Sequence, residues 1–249
     1  FDGTSSQNSS QWRGLHSING RNNPDGLYRS DFAMASRIIG QVSYRKEYFG
    51  FGATQISLIY DGNSGNPYSY TYNTRGNLTN EDSRERALIY VPRDRSEIVL
   101  VDDGSRTAEQ QWLELDNFIA NDDYLSSRRG QYAERKASRT PFTHIMDLRV
   151  LQDFYIDMPN GKRNTLQLSL DVFNFTNMLN KDWGRIYFAG NGGNFELLDF
   201  EGFVPDTNIP QFTYGGVADS ENIFINNVDD SGFRSSRWQA QVGVRYIFN

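Results

Sequence analysis

His16 and His144 are the only two imidazoles in this chain, and there is no cysteine. Neither histidine stands in a metal spacing such as His-Glu-x-x-His. No Gly-x-Ser-x-Gly elbow presents a nucleophilic serine, and the absence of cysteine rules out both a disulfide framework and thiolate metal sites. Carboxylates are plentiful, but nothing in their spacing pairs any two of them. Gly190-Asn-Gly-Gly193 lacks the strand–helix context of a phosphate loop. The residues therefore point away from bond chemistry, with no catalytic residue, cofactor or metal site assigned; a hydrolase is the enzymatic alternative. What the chain does carry is recognition chemistry. Trp112, Arg128, Arg129, Trp183 and Tyr187 combine aromatic area with bidentate donors, the types that dominate binding hot spots. All five fall in long polar stretches, so the elements that hold those stretches decide what they can do.

The clearest element is the last one. From Arg237 to Phe248 the even positions are Trp238, Ala240, Val242, Val244, Tyr246 and Phe248, and the odd ones are Arg237, Gln239, Gln241, Gly243, Arg245 and Ile247. Alternate side chains of a strand point to opposite faces, so one face is wholly apolar and the other polar. Ala33–Tyr48, Gly52–Asp61, Phe142–Asp157 and Asn164–Phe175 repeat the pattern with the same parity. Five strands are predicted, at 33–48, 52–61, 142–157, 164–175 and 236–248. Each is ten residues or longer, whereas strands of soluble proteins centre on ~5–6 and a tilted membrane-spanning strand needs ~9–11. Length favours a membrane barrel over a sandwich.

Composition agrees with that reading. The net charge of −6 leaves no basic footprint for nucleic acid. The longest apolar run, Ala87–Val91, is far short of the ~20 residues of a transmembrane helix. A mean hydropathy of −0.65 is no objection, because only alternate residues of a barrel strand meet lipid. The connections are lopsided. Phe49–Phe51 and Met158–Arg163, the latter with the hairpin signal Asn160-Gly161, are short; 62–141 and 176–235 are long and polar. Short periplasmic turns and long external loops are the outer-membrane arrangement, which puts the C-terminus in the periplasm. Arg37, Arg45, Asp147, Arg149, Asp153, Asp171 and Arg245 occupy odd positions and are expected to face the lumen. Tyr44, Tyr48, Phe49, Phe51, Tyr246 and Phe248 at one end of the strands, and Tyr60 and Trp238 at the other, suit aromatic girdles. His144 is expected on the lipid-facing side near the outer rim.

The fold class expected is thus all-β: a transmembrane antiparallel β-barrel, with these five strands as the C-terminal part of a larger wall. Residues 1–249 form one domain in this reading, with 1–32 an external loop, 33–61 and 142–175 hairpins, 62–141 and 176–235 external loops, and 236–249 the terminal strand. Residue 1 is Phe, with no leader, and an incomplete chain is expected. Within the loops, Tyr68–Tyr72 is expected to extend a strand above the membrane and Ala87–Pro92 to form a short strand. Ala108–Asp122 should form an amphipathic helix on the barrel rim, and Ser126–Gly130 should re-enter toward the wall.

Gln241-Val-Gly-Val-Arg-Tyr-Ile-Phe248 resembles the assembly signal of outer-membrane barrels: polar Gln241, then Gly243, then Tyr246 and Phe248. Further pieces extend the resemblance over nearly the whole chain: Tyr28-Arg-Ser-Asp-Phe32, Asn66–Tyr72, Ala87-Leu-Ile-Tyr-Val-Pro92, Ser127-Arg-Arg-Gly130, Met146-Asp-Leu-Arg-Val150, Leu170–Asn177 and Trp238–Asn249. In this order they are similar to the C-terminal barrel of TonB-dependent outer-membrane transporters of the Bacteroidetes, the Oar-like and SusC-like branch. The resemblance implies a large plugged barrel of ~22 strands that imports a scarce solute, a peptide, glycan or chelate. Its implied partners are the rest of the barrel and its plug domain, the TonB complex acting through that plug, outer-membrane lipid or lipopolysaccharide, and a surface lipoprotein or other protein docked on the loops. Thr74–Arg86 departs from the family's acidic, Gly-rich run, and the plug is not in this sequence. Two other readings compete: a docking barrel that holds partner proteins through its loops, and a soluble β-sandwich carbohydrate binder.

Overall fold

Period-two alternation does produce strands in the computed structural model, which describes residues 18, 28–30, 33–74, 78–79, 87–188, 193–215, 225–226 and 236–248. The chain is predominantly β. In order it runs β1 (Arg37–Tyr48), β2 (Gly52–Asn63), β3 (Pro67–Asn73), β4 (Tyr90–Val91), β5 (Val99–Leu100), α1 (Ala108–Asn121) and α2 (Asp123–Ser126). It continues through β6 (Gln131–Tyr132), β7 (Ser138–Arg139), β8 (Thr143–Asp157), β9 (Arg163–Phe173), α3 (Phe175–Leu179), β10 (Tyr187–Phe188), β11 (Asn194–Phe203), β12 (Pro210–Tyr214), β13 (Ile225–Asn226) and β14 (Gln239–Ile247). The expected loop 1–32 lies outside the described residues except at 18 and 28–30, as does most of 74–86.

The chain divides into two compact units rather than one domain with loops: 34–65, 141–187 and 226–249 make the strand unit, and 1–33, 66–140 and 188–225 make the other. In the strand unit, all five predicted strands join one antiparallel sheet in the order β1-β2-β8-β9-β14. The sheet is open: β1 and β14 are its edges. The boundaries differ from the expected ones by up to four residues. Strand β9 stops at Phe173 because Asn174 turns left-handed (φ 52°) and α3 begins. Ala33–Ser36 and Ser236–Trp238 remain irregular.

Register carries the parity across the sheet. Val42 faces Leu58, Leu58 faces Leu148, Leu148 faces Val172 and Val172 faces Ala240. One residue along, Ser43, Ser57, Arg149, Asp171 and Gln241 form the neighbouring row. A slip of one residue would flip a strand's whole apolar set to the other face, so this shared parity fixes the pairing. Both short turns leave one end of the sheet, where Tyr48 meets Gly52 and Asp157 meets Arg163. Both long segments leave the other, where Asn63 meets Thr143 and Phe173 meets Gln239.

The second unit corrects the expectation that the long segments are loops. Its sheet, in the order β5-β12-β11-β3-β7, mixes parallel and antiparallel pairs. Tyr68–Tyr72 does not prolong β2; it is an inner strand here, with Tyr68, Tyr70 and Tyr72 all buried. Helix α1 starts at a capping box in which Thr107 and Gln110 satisfy each other's free backbone N–H groups. Its apolar stripe, Trp112, Leu115, Phe118 and Ile119, is buried in the core of this unit with Ile89, Val91, Leu125, Leu198, Phe212 and Tyr214. The helix packs against its own unit's sheet, to which residues distant in sequence supply β11 and β12.

Candidate functional site

The strand unit has two chemically opposite faces. On the even face Ile38, Val42, Tyr44, Ile56, Phe154, Leu166, Leu168, Leu170, Val242, Val244 and Tyr246 are all exposed. Leu168 is 38 % exposed even though strands flank it on both sides. Leu166, Leu168 and Leu170 are not packed into a core, whereas Val172, toward the end of β9, is buried. Several polar groups of this face are turned onto one another. The Gln152 Oε1 atom accepts from the Tyr48 hydroxyl and the Thr54 hydroxyl, both at 2.7 Å, while its Nε2 donates to the Ala53 and Asp153 carbonyls. Tyr60 Oη and His144 Nδ1 lie 2.7 Å apart. Such closure costs little in water and is required where water is absent.

The odd face is built from paired charges. Arg37 and Asp61 meet at 2.7 Å, Arg45 and Asp153 at 2.9 Å, and Arg149 and Asp171 at 2.8 Å. Arg45 reaches Asp153 over Ala53, whose small side chain leaves the path open. Asp153 is 4 % exposed and also accepts from Gln167 Nε2 at 2.8 Å. Arg45 donates to the Tyr155 hydroxyl as well. Asp147 accepts from the Asn174 backbone N–H at 2.8 Å and so fixes the end of β9. Arg245 lines a hollow of about 300 Å³ with Arg149, Gln167, Asp171, Gln241 and Gly243. Gly243 makes that hollow: a Cβ there would stand 2.5 Å from Ser169 Oγ. All seven charged residues assigned to one face by parity do share it. Of the assembly-signal residues, Tyr246 and Phe248 stand exposed on the apolar side with ring centroids 6.0 Å apart.

A cleft of about 420 Å³ opens at the end of this sheet from which the long segments leave. Strand β9 ends at Phe173 while β8 continues back to Thr143, so Phe142, His144 and Met146 border a notch. Tyr60 of β2 forms one wall; Thr176, Trp183, Arg185 and Tyr187 form the other. Asn174 Nδ2 donates to the Gly184 carbonyl and Asn177 Nδ2 to the Lys181 and Trp183 carbonyls, which hold the second wall in shape. Arg185 is tied to Asp182 and, through Nε, to the Lys181 carbonyl.

No family model, curated protein or solved structure matches the chain.

The five recognition candidates divide accordingly. Trp183, which is 53 % exposed, and Tyr187 are brought together in the cleft. The other three lie in the second unit and have structural work there. Trp112 is buried at 8 % exposure, so its expected place on a binding surface is corrected to the core. Arg128 pairs with Glu134 at 3.2 Å and donates to the Tyr132 carbonyl. Arg129 spans from Asp116 on α1, at 2.6 Å, to the Pro92 and Arg93 carbonyls beyond β4. Their guanidinium groups brace 127–130 within this unit, where the Gly130 N–H donates to the Val91 carbonyl at 2.7 Å. The sequence reading set His144 aside and passed over Tyr60, Phe142 and Arg185 as a group. Even parity in β2 and β8 was the available signal for the first three.

The core of the second unit has its own polar chemistry. Tyr70 donates to Asp122 at 2.6 Å and lies 3.0 Å from the Tyr68 hydroxyl. Burial pushes the Tyr68 phenol up to about 12 and raises that of Tyr70 further. Asp103 accepts from the Arg106 and Ser105 backbone N–H groups, which hold its carboxyl well below the usual range. Among the described residues no three His, Asp or Glu side chains converge as a metal site would require. No helix there is long and apolar enough to cross a membrane, which leaves strands untouched.

Proposed function

We propose that the strand unit is part of the wall of a bacterial outer-membrane β-barrel whose C-terminus lies in the periplasm. In this reading the even face meets lipid and the odd face lines the lumen. The observation that carries it is the exposed apolar face running across all five strands, with Tyr48, Thr54 and Gln152, and Tyr60 and His144, closed onto one another, backed by a face of cross-strand ion pairs. A soluble sandwich would bury that apolar face against a second sheet. A lipid-facing barrel wall wants it bare, with its charges inside. Strands of 9 to 15 residues suit a span of ~9–11. Lys46, an even-face charge, lies two residues from the end of β1, where a long stem lets an ammonium snorkel.

The barrel we infer belongs to a TonB-dependent transporter of the Oar-like and SusC-like kind, on the sequence resemblance. Further strands close the wall and a plug fills it. Binding of a scarce peptide, glycan or chelate outside, with force relayed through the plug, opens the path without bond chemistry. The second unit presents the surface that meets solute or partner. Its compact core also suits the docking role, because a rigid folded module offers a pre-organised surface. Sucrose-gradient separation of host membranes, with boiled and unboiled gel mobility, tests the location. Recovery in the soluble fraction without detergent would overturn it. Deletion of the gene then separates the two roles: loss of protonophore-sensitive uptake of a labelled peptide or glycan pool supports import. Unchanged uptake with release of a bound surface protein supports docking.

A further inference from the structure

We infer that the hollow around Gly243 binds the carboxylate of a solute, with Arg245, Gln241 and Ser169 as its donors. The inference rests on the outer-membrane reading above, in which this face lines the lumen, and adds to it a place and a class of solute. The register assembles the site. Gln241, Gly243 and Arg245 follow one another on the odd face of β14, about 7 Å apart, and Ser169 of β9 stands opposite Gly243. Gly243 is the floor: with no side chain there, a space of about 300 Å³ remains between its neighbours. The donors around that floor are uncommitted. The other arginines of the five strands, Arg37, Arg45, Arg149 and Arg163, each hold a carboxylate. Arg245 has none, and neither it nor Gln241 nor Ser169 has a side-chain hydrogen bond among the described residues. Arg149 and Asp171 also line the hollow, but they close on each other through Nε, at 2.8 Å, and Nη2. The lining therefore carries one net positive charge, on the guanidinium that lacks a partner. A carboxylate matches that charge, and its two oxygens fit the planar fork of donors. A neutral solute would leave the charge unanswered, a cation would be repelled, and a dianion would also face Asp171.

Phenylglyoxal, which condenses with accessible guanidinium groups, reports the site by peptide mass. The full-length polypeptide in nanodiscs is modified at constant ionic strength in the presence of N-acetyldialanine or its amide, two probes that differ only in the carboxylate. We expect half-protection of Arg245 at a concentration about tenfold lower for the acid, the difference between a charged and a neutral hydrogen-bond partner. Arg163, on the same sheet but bonded to Asp157, should be indifferent to both. Gln241→Ala, which keeps the space and removes a donor, should narrow the difference. Gly243→Ala, which puts a Cβ 2.5 Å from Ser169 Oγ, should abolish it; should that variant not assemble, the acid–amide comparison in the unsubstituted protein decides. Equal protection by acid and amide, or equal protection of Arg163, would overturn the site. So would an Arg245 that resists phenylglyoxal before any probe is added, because a side chain of the protein itself would then fill the hollow. Val244→Cys keeps the membrane reading separate: Val244 is the next residue along β14, on the opposite face, and the chain has no other cysteine. A charged maleimide should leave that cysteine unmodified in lipid. Modification would overturn the membrane reading, which the acid–amide comparison at Arg245 leaves untouched.

Discussion

Leu168 sits halfway along β9, five residues from either end of an eleven-residue strand. At ~3.4 Å per residue that is roughly 17 Å of strand, or ~12 Å of depth for a strand tilted by ~45°. On the membrane reading proposed above, this is the midplane of an apolar band ~25 Å tall. Leu168→Arg therefore puts a guanidinium where its cost is greatest, about 2–4 kcal/mol. That corresponds to a loss of roughly 30- to 900-fold in the folded-to-unfolded ratio. The adjacent change Ser169→Arg points to the opposite face, toward Asp171 and Gln241, and should stay within about 0.5 kcal/mol. Urea titration of folding into lipid vesicles, read by the mobility of unboiled protein, measures both. On a solvent-exposed sheet the two changes would be equally mild, since Leu168 is already partly open and a surface arginine is harmless. Equal midpoints for the two variants would refute the assignment of faces.

Five further outcomes are expected. Gln111→Leu removes the amide that donates to the Val101 carbonyl and accepts from the Tyr214 N–H at 2.7 and 2.8 Å; leaving two buried groups unpaired should cost about 2–5 kcal/mol and speed exchange of the Tyr214 amide. Trp112→Ala should destabilise the second unit by about 3–5 kcal/mol without reducing barrel assembly, whereas Phe248→Asp should lower outer-membrane levels in a heat-modifiability gel. The pH limits of the second unit have opposite signs. Asp103 is depressed, so its contribution is present above an unfolded value of ~3.9 and fades as pH falls toward the folded one; Asp103→Asn should flatten that acid loss in a circular-dichroism titration. Tyr68 is raised to about 12, so its contribution is intact below an unfolded value of ~10 and is lost as pH climbs through the folded one, with tyrosinate absorbance rising as near-ultraviolet dichroism falls.

The strand unit was largely legible in the sequence, and the second unit was not, for a physical reason. Alternation is a local signal: Val242, Val244 and Tyr246 reveal their common face without reference to any other segment, and equal parity in five segments implies one sheet. Strand ends are less local. Asn174 ends β9 through its own left-handed turn and a bond to Asp147, neither of which composition reveals. The second unit is held by pairs distant in sequence, such as β3 with β11 and β5 with β12. Its two-residue strands carry no readable period. The stripe Trp112, Leu115, Phe118 and Ile119 announced a helix but not its partner, so Trp112 looked available for binding when it is core. Arg128 and Arg129 were misleading in the same way, since composition cannot distinguish a free guanidinium from one bonded to Tyr132, Asp116 or Pro92. The cleft needed the register that sets Tyr60 against Met146 and Gly62 against His144.

The absence of cysteine makes the central claim directly measurable. Single cysteines at Leu166, Leu168, Leu170, Val242 and Val244, and at Gln167, Ser169 and Gln241, can each carry a nitroxide in the membrane-reconstituted full-length protein. Collision with oxygen, which concentrates in lipid, is compared with collision with a water-soluble nickel chelate. The account expects the oxygen-to-chelate ratio to alternate with a period of two, high at every even position and low at every odd one. A ratio that does not alternate, or even positions shielded from both reagents as in a packed core, would contradict it.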